Sequence, residues 1–336
     1  MKLLKFTRYN EWWEYKLIPI LSVGYSTTLF YNLEVEETIL FILKVLLAVI
    51  FGAVYVSIIN DLADIKEDQI AGKKNRMATM SKLGRTLVVL LSLIIGIFFG
   101  YNIWPDTLSL IFFTLSYVVF SAYSLPPFRF KKSGFIGVLC DASGAHLFPS
   151  LLMSAHIPFA IGHKQNIFWM ISIALWALFY GIRGILVHQF HDRENDLISK
   201  TTTYATSVNP LNFRKTEYFI LGIEMIGTIL ILYNILNLYI ALAVFAYILL
   251  TLGRYSILKY QTGLIIIPTN KPSQLLLNDL YLVFMPLAVL LSLSLHNKFG
   301  WLMLILHIIL FPKNIWIVIK DFKLITKQII NNKLKA

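Results

Sequence analysis

The chain has 336 residues, of which 57% are hydrophobic and only 14% charged, against roughly 25% charged in an ordinary soluble domain. Mean hydropathy is +0.69. Apolar stretches of about 17–25 residues alternate with short polar ones, which excludes a soluble globule and indicates membrane-spanning helices. The formal net charge of +12 calls for no nucleic acid, because it follows from a positive-inside bias and attraction to anionic lipid.

The N-terminal MKLLKF lacks the small-residue cleavage site of a signal peptide, so the first apolar run is retained as a span. Ten spans are predicted, at about 16–31, 38–60, 85–103, 107–123, 135–155, 167–187, 217–234, 236–253, 279–296 and 299–319. The seventh and eighth are separated only around Asn234–Asn237 and should form a tight hairpin. Ten spans place 1–15, 61–84, 124–134, 188–216, 254–278 and 320–336 on one side, and these segments hold nearly all the Lys and Arg. The other side offers Lys164 and Lys298. The basic side is therefore cytoplasmic, with both termini inside. The tail KDFKLITKQIINNKLKA reads as an interfacial anchor. The single Cys140 excludes an internal disulfide, and no linker marks a second domain, so residues 1–336 form one membrane domain.

Four cytoplasmic segments carry the chemistry. After the second span comes Asn60-Asp61-x-x-Asp64-x-x-x-Asp68. If the helix continues past Asn60, the three carboxylates share one face. Like charges so placed need a cation. Hard divalent ions take oxygen ligands, although a solvated helix end with Lys66 and Lys73 as local partners is the alternative. After the sixth span, HQFHDRENDLISKTTT places Asp192 and Asp196 four residues apart, again followed by basic residues. Two such clusters on one membrane face could hold two Mg²⁺ ions, and those a diphosphate, with nearby Lys and Arg neutralising the remaining charge. His188 and His191 flank the second cluster and read as hydrogen-bonding neighbours, since Mg²⁺ prefers oxygen.

In AYSLPPFRFKKSG, Pro126 and Pro127 stop a helix, and Arg129 and Lys131 alternate with Phe128 and Phe130, so both cations can point the same way. The fourth segment, 254–278, either caps a site at the membrane surface or is a plain connector. Within the spans, Asp141, His146 and Arg183 stand out, because intramembrane charge suggests function. Arg183 either lines a cavity floor and meets an anionic group, or pairs with Asp141 at a comparable depth.

Together these segments resemble the UbiA-type intramembrane prenyltransferase superfamily. Its N-D-x-x-D-x-x-x-D signature is met by Asn60, Asp61, Asp64 and Asp68, its Y-S-x-P-P-x-R-x-K loop by Tyr123, Ser124, Pro126, Pro127, Arg129 and Lys131, and its D-x-x-x-D motif by Asp192 and Asp196. The resemblance covers about residues 15–300. Two positions depart from the pattern: Lys200 replaces the Gly that often follows the second motif, and Arg76-Met77 replaces an Arg-Pro pair.

The resemblance implies an all-α bundle of nine or ten transmembrane helices around a central cavity open to the cytoplasmic side. The segment from about 299 onward would be an addition or a re-entrant helix. It also implies two Mg²⁺ ions held by Asp61, Asp64, Asp68, Asp192 and Asp196, and a prenyl diphosphate near Asn60, Lys73, Lys74, Tyr123, Ser124, Arg129, Lys131 and Lys200. The acceptor would be lipophilic, with Phe112, Phe113 and Tyr117 as candidate lining; Arg183, which sets this chain apart from the family pattern, is a candidate for its polar group beside the alternative of pairing with Asp141. Prenyl transfer in a bacterial inner membrane is the first reading. Cyclisation on the same scaffold and a transporter with a cytoplasmic cation site are the alternatives.

Overall fold

The computed structural model describes residues 9–70, 72, 74–198, 201–267, 271–295 and 297–333. Helix α1 runs Tyr9–Phe30, α2 Val35–Ile70, α3 Lys82–Ile103 and α4 Thr107–Ser124. Helix α5 occupies Phe135–Ala160 with a π turn at Ser143–Leu147, and α6 runs Ile167–His191. Two short helices follow, α7 (Arg193–Ile198) and α8 (Tyr204–Ser207), then α9 (Arg214–Ile235) and α10 (Leu238–Ser256). Strands β1 (Gln261–Gly263) and β2 (Ser273–Leu275) precede α11 (Leu280–Ser294), α12 (Lys298–Leu310) and α13 (Pro312–Lys333).

Among the described residues, seven helices are long and apolar enough to cross a membrane: α2 to α6, α9 and α10. Helices α1 and α11 stand where the first and ninth spans are expected, and α11 is short. The expected hairpin between the seventh and eighth spans is present, with Asn237 capping α10 through Tyr239 N and Ile240 N.

The predicted tenth span, 299–319, is not one straight helix. α12 and α13 meet at 84°. Phe311 leaves helical geometry at φ −131°, ψ 58°, and Pro312, which lacks an N–H, opens the next helix. The carboxylate of Glu14 on α1 accepts from Lys313 N at 3.0 Å and Asn314 N at 3.1 Å, supplying the N-terminal cap from another helix. Beyond the bend, α13 exposes Trp316, Ile319 and Ile330 beside Lys313, Lys320 and Lys327. That composition suits a helix lying in the interface, as expected for the basic tail.

Helix α2 has 36 residues. No Pro or Gly interrupts it between Gly52 and Gly72, and Gly72 turns the chain at φ +66°. The helix therefore carries the first acidic motif beyond the membrane core without a break. Helix α1 is deeply buried: Leu17, Ile18, Ile20, Leu21 and Val23 are each 2% exposed or less. Helix α3 lies at the periphery with Leu87, Leu91, Ile94 and Phe98 exposed. Among the described residues the bundle carries one short parallel ribbon, in the 254–278 segment, with Gln261 opposite Ser273 and Gly263 opposite Leu275.

In a bilayer, lipid tails are as apolar as side chains, so close backbone approach does much of the work of helix association. Helices α6 and α9 show this at Gly227, where an added Cβ would stand 2.5 Å from the Trp176 main-chain nitrogen. Backbone cannot yield as a side-chain tip can. Gly227→Ala should therefore lower the melting temperature in detergent, at a cost of about 1–3 kcal/mol from overpacking. Gly222→Ala, on the same helix with nothing within 4 Å of the new atom, should leave melting unchanged.

Candidate active site

The first acidic motif lies on the last three turns of α2, and its charges are matched by two loops. In the loop after α2, Arg76 reaches Asp61 Oδ2 through Nε at 2.6 Å and Nη2 at 2.5 Å. Asn75 donates from Nδ2 to the Asp61 carbonyl and to Asp68 Oδ2, both at 2.8 Å, and its Oδ1 accepts from Ala78 N. The loop after α4 supplies the rest. Arg129 Nη2 is 3.0 Å from Asp64 Oδ1, its Nη1 is 3.0 Å from Glu67 Oε1, and Lys131 Nζ also meets Asp64 Oδ1. Lys132 Nζ is 2.6 Å from Glu67 Oε1. Arg129 adopts a left-handed backbone at φ 45°. That conformation is strained for a side-chain-bearing residue and persists only where neighbours hold it, here through these ion pairs and the Ala63 carbonyl. The alternation around Phe128 and Phe130 thus turns Arg129 and Lys131 onto one carboxylate. Among the described residues the partners are these loop residues rather than Lys66; Lys73, the other local lysine of the alternative reading, lies outside the described residues.

The second motif sits where α6 breaks. Asp192 caps α6, and Asp196 follows on α7, its N–H bonded to the Asp192 carbonyl at 2.9 Å. The two carboxylates are therefore one turn apart although the helix label changes between them. His188 Nδ1 is 3.7 Å from Asp192 Oδ2, and Thr203 Oγ1 donates to Asp196 Oδ2 at 3.4 Å. Arg193 donates to the Ala205 carbonyl, and Gln189 accepts from Ala205 N, which ties the turn down.

Between these two helix ends opens a cavity of about 1040 Å³. Its lining reaches Asn60 on α2 and His188 on α6, so each acidic motif begins at its rim. Below the rim the walls are mostly apolar and aromatic, with Tyr55, Phe113, Tyr117, Phe120, Tyr123 and Tyr180. Tyr55 and Tyr117 stack at 4.9 Å between centroids. Ser124 donates to Asn60 Oδ1 and joins α4 to α2 at the mouth. The π turn of α5 presents Gly144, Ala145 and His146 to the cavity, an irregularity frequent at functional sites. Lys16, Asp141 and Arg183 line it too.

The structure corrects the pairing of Arg183. Its partner is not Asp141 but Glu224 on α9, at 2.5 Å from Nε to Oε2 and 2.6 Å from Nη2 to Oε1. Arg183 is 1% and Glu224 0% exposed. A two-pronged contact matches the planar guanidinium fork, which Asp141, a cavity-lining residue on α5, does not provide. The remaining Nη1 donates to the Leu276 carbonyl at 2.9 Å. Arg183 thus borders the cavity with its charge already matched.

Of the other candidates, Lys74 is exposed near the first motif. Phe113 and Tyr117 line the cavity, whereas Phe112 packs in the core beside it. Lys73 and Lys200 lie outside the described residues. The sequence reading missed Asn75, Glu67, Lys132, Lys16 and Glu224. Glu224 carried a legible signal, a lone carboxylate well inside a predicted span. Asn75 carried none.

These features define an integral membrane protein of the helical-bundle type, with an apolar cavity whose mouth is lined by opposed acids and bases. The chain belongs to the UbiA prenyltransferase family, whose model matches residues 17–263. The fold is similar to a solved UbiA homolog from Archaeoglobus fulgidus bound to GPP and Mg²⁺, at TM-score 0.57 and 17% identity over 90% of this chain and 99% of that one. The same homolog bound to DMAPP and Mg²⁺ gives TM-score 0.53 and 15% identity over 88% and 99%. No curated protein matches the sequence.

Two predictions follow from the charge pairing. Arg183→Leu strands a buried carboxylate and should cost about 3–5 kcal/mol, while the double variant Arg183→Leu/Glu224→Leu should recover most of it; melting curves in detergent check this. Partial burial pushes the Glu67 carboxyl up, but the Lys132 hydrogen bond and the charges of Arg129, Lys132 and Lys131 bring it below its ordinary value. A depressed carboxyl stabilises above its unfolded pKa and loses that effect as pH falls through the folded one. The 129–133 loop should therefore stay docked at neutral pH and loosen only on acidification below the ordinary carboxylate range, as hydrogen exchange of its amides would show.

Proposed function

We propose that this chain transfers a prenyl group from a prenyl diphosphate to a lipophilic, aromatic acceptor, with Mg²⁺ as cofactor, at the cytoplasmic face of a bacterial inner membrane. The observation that carries this reading is the placement of two acidic helix ends and a basic loop at the mouth of one large apolar cavity. The solved homolog that binds GPP, DMAPP and Mg²⁺ supports it.

The donor set suits the metal. Among the described residues, no three carboxylate, imidazole or thiol side chains converge into a ready-made cage. Mg²⁺ needs none, since it commonly takes one or two carboxylates and completes its shell with water and phosphate oxygens. Asp192 and Asp196 on one side and Asp61, Asp64 and Asp68 on the other offer only oxygen and would hold two ions through the diphosphate. The metal would supply neutralisation of the negative charge on the leaving group.

The chain's own residues then divide the work. Arg129 and Lys131 bind phosphate oxygens, exchanging one anionic partner, Asp64, for another of higher charge. Asn60, fixed by Ser124, and Tyr123 mark the boundary between the charged mouth and the apolar interior. The aromatic faces of Tyr55, Phe113, Tyr117 and Phe120 favour the allylic cation that forms when the carbon–oxygen bond breaks, and the apolar walls keep water from capturing it. A nucleophilic carbon or oxygen of the acceptor closes the reaction, and its proton leaves to solvent.

Asp61→Ala and Asp192→Ala should each lower turnover at least a hundredfold with unchanged expression. Exhaustive chelation should abolish turnover, and added Mg²⁺ should restore it. Product analysis of purified protein with geranyl diphosphate, with and without a phenolic acceptor, provides the measurement. Undiminished activity in both Asp variants would sink the reading.

A further inference from the structure

The 254–278 segment is neither a surface cap nor a plain connector. It leaves α10 at Ser256, dips into the bundle as the β1–β2 ribbon and emerges at α11. Its depth can be read from Arg183, which lies nine residues before the mouth residue Asp192, or about 13 Å along the helix. The Arg183 guanidinium binds the Leu276 carbonyl, so the segment reaches into the bundle towards that depth.

Non-helical backbone at membrane depth survives only where protein satisfies it or where it lines a cavity. Here side chains from three spans, α6, α9 and α10, anchor it. Glu217 Oε1 on α9 accepts from Ile265 N at 3.0 Å and Ile266 N at 2.8 Å. Tyr247 OH on α10 accepts from Leu277 N at 2.8 Å. Arg254 at the end of α10 pairs with Asp279 and also with Asp321 of α13, at 2.8 Å for the latter. Arg183 on α6, oriented by Glu224, completes the set. Leu277 is held left-handed at φ 66°, and the next residue, Asn278, lines the cavity together with Ile267 and Leu275.

The Asn278 side chain makes no hydrogen bond among the described residues. A prenyl tail lying against it would leave a polar amide unmet, which is the expensive case for a hydrogen-bonding group. An occupant that carries a hydrogen-bonding group would meet that amide, which a purely hydrocarbon one would not. The acids and bases that match a diphosphate stand instead at the mouth, on the Asn60 and His188 side of the cavity. Arg183 is already matched by Glu224, so it does not compete for the role.

We propose that residues 261–267 and 271–279 form the acceptor end of the cavity, and that Asn278, held there by Arg183, Tyr247 and Arg254, is the hydrogen-bond contact for a hydroxyl or carbonyl of the acceptor. The inference rests on the prenyltransferase reading and deepens it by assigning the acceptor end and its chemistry. An amide both donates and accepts, so it suits a phenol or a quinone-like carbonyl equally. The anchored backbone means that little ordering accompanies binding.

The test uses the full chain in detergent with 1-naphthol and naphthalene, which share ring area and differ by one hydroxyl. Binding is followed by tryptophan fluorescence quenching. The wild type should bind 1-naphthol about tenfold more tightly than naphthalene, the effect of one hydrogen bond to an otherwise unmet group. Asn278→Leu should reduce that ratio to within twofold while leaving geranyl diphosphate binding in Mg²⁺ unchanged. Asn278→Asp, which still accepts from a phenol, should keep the preference and guards against a folding defect in the leucine variant. A preference retained in Asn278→Leu, lost in Asn278→Asp, or absent from the wild type, including no binding of either probe, overturns the assignment. The naphthol arm contains no prenyl diphosphate. Failure of geranyl diphosphate to bind would count against the prenyltransferase reading alone.

Discussion

The buried contact between Arg183 and Glu224 joins α6 to α9 and, through the Leu276 carbonyl, both helices to the ribbon that dips between them. Removing two opposite charges from water is costly, and a pair so buried is weak evidence of net stabilisation. What it provides is position. Hydrocarbon leaves no alternative partner for either charge or for the carbonyl. The three groups therefore have one low-energy arrangement, and the ribbon must enter to complete it. Arg254 repeats the device nearer the surface, where one guanidinium joins α10, the start of α11 and the interfacial helix α13.

The mouth uses the opposite balance. There the carboxylates are numerous, partly exposed and matched by long basic side chains from two loops. Asp64 and Glu67 share Arg129, and each has a lysine of its own. Such contacts are weaker and exchangeable because water competes for both partners. A site that must accept a multiply charged ligand and release it needs charges that can change partners, whereas a wall that defines a cavity needs charges that cannot. Depth in the membrane decides which behaviour a given ion pair shows.

Much of this was legible in the sequence, and for identifiable reasons. The long apolar runs located the spans, because a bilayer demands about twenty consecutive apolar residues. Asp61, Asp64 and Asp68 could be put on one helical face because no breaker precedes Gly72. The alternation in Phe128-Arg129-Phe130-Lys131 foretold that the two cations act together. The misses share a cause, contacts between residues far apart in sequence. Nothing near Pro312 says that Glu14, some 300 residues earlier, will cap a helix there and bend the chain. Arg183 was recognised as unusual but assigned to Asp141, because depth alone cannot tell which faces of two helices meet. The ribbon escaped notice because its apolar residues read as an ordinary loop until the side chains that satisfy its backbone are seen.

The family match ends at residue 263, and most of the re-entrant wall and everything after it lie beyond that point. The acids and the basic loop all fall inside the match, and so does Arg183. Groups that activate a diphosphate answer to one unchanging chemistry, since every prenyl donor presents the same leaving group. The wall answers to whatever stands at the far end of the cavity. A chain can therefore alter Ile267, Leu275 or Asn278 without disturbing the mouth, provided that Arg183, Glu217, Tyr247 and Arg254 still meet the backbone. On the proposed function, separating an ionising end from an acceptor end, anchored by buried charges, would allow one scaffold to change acceptor while keeping its donor.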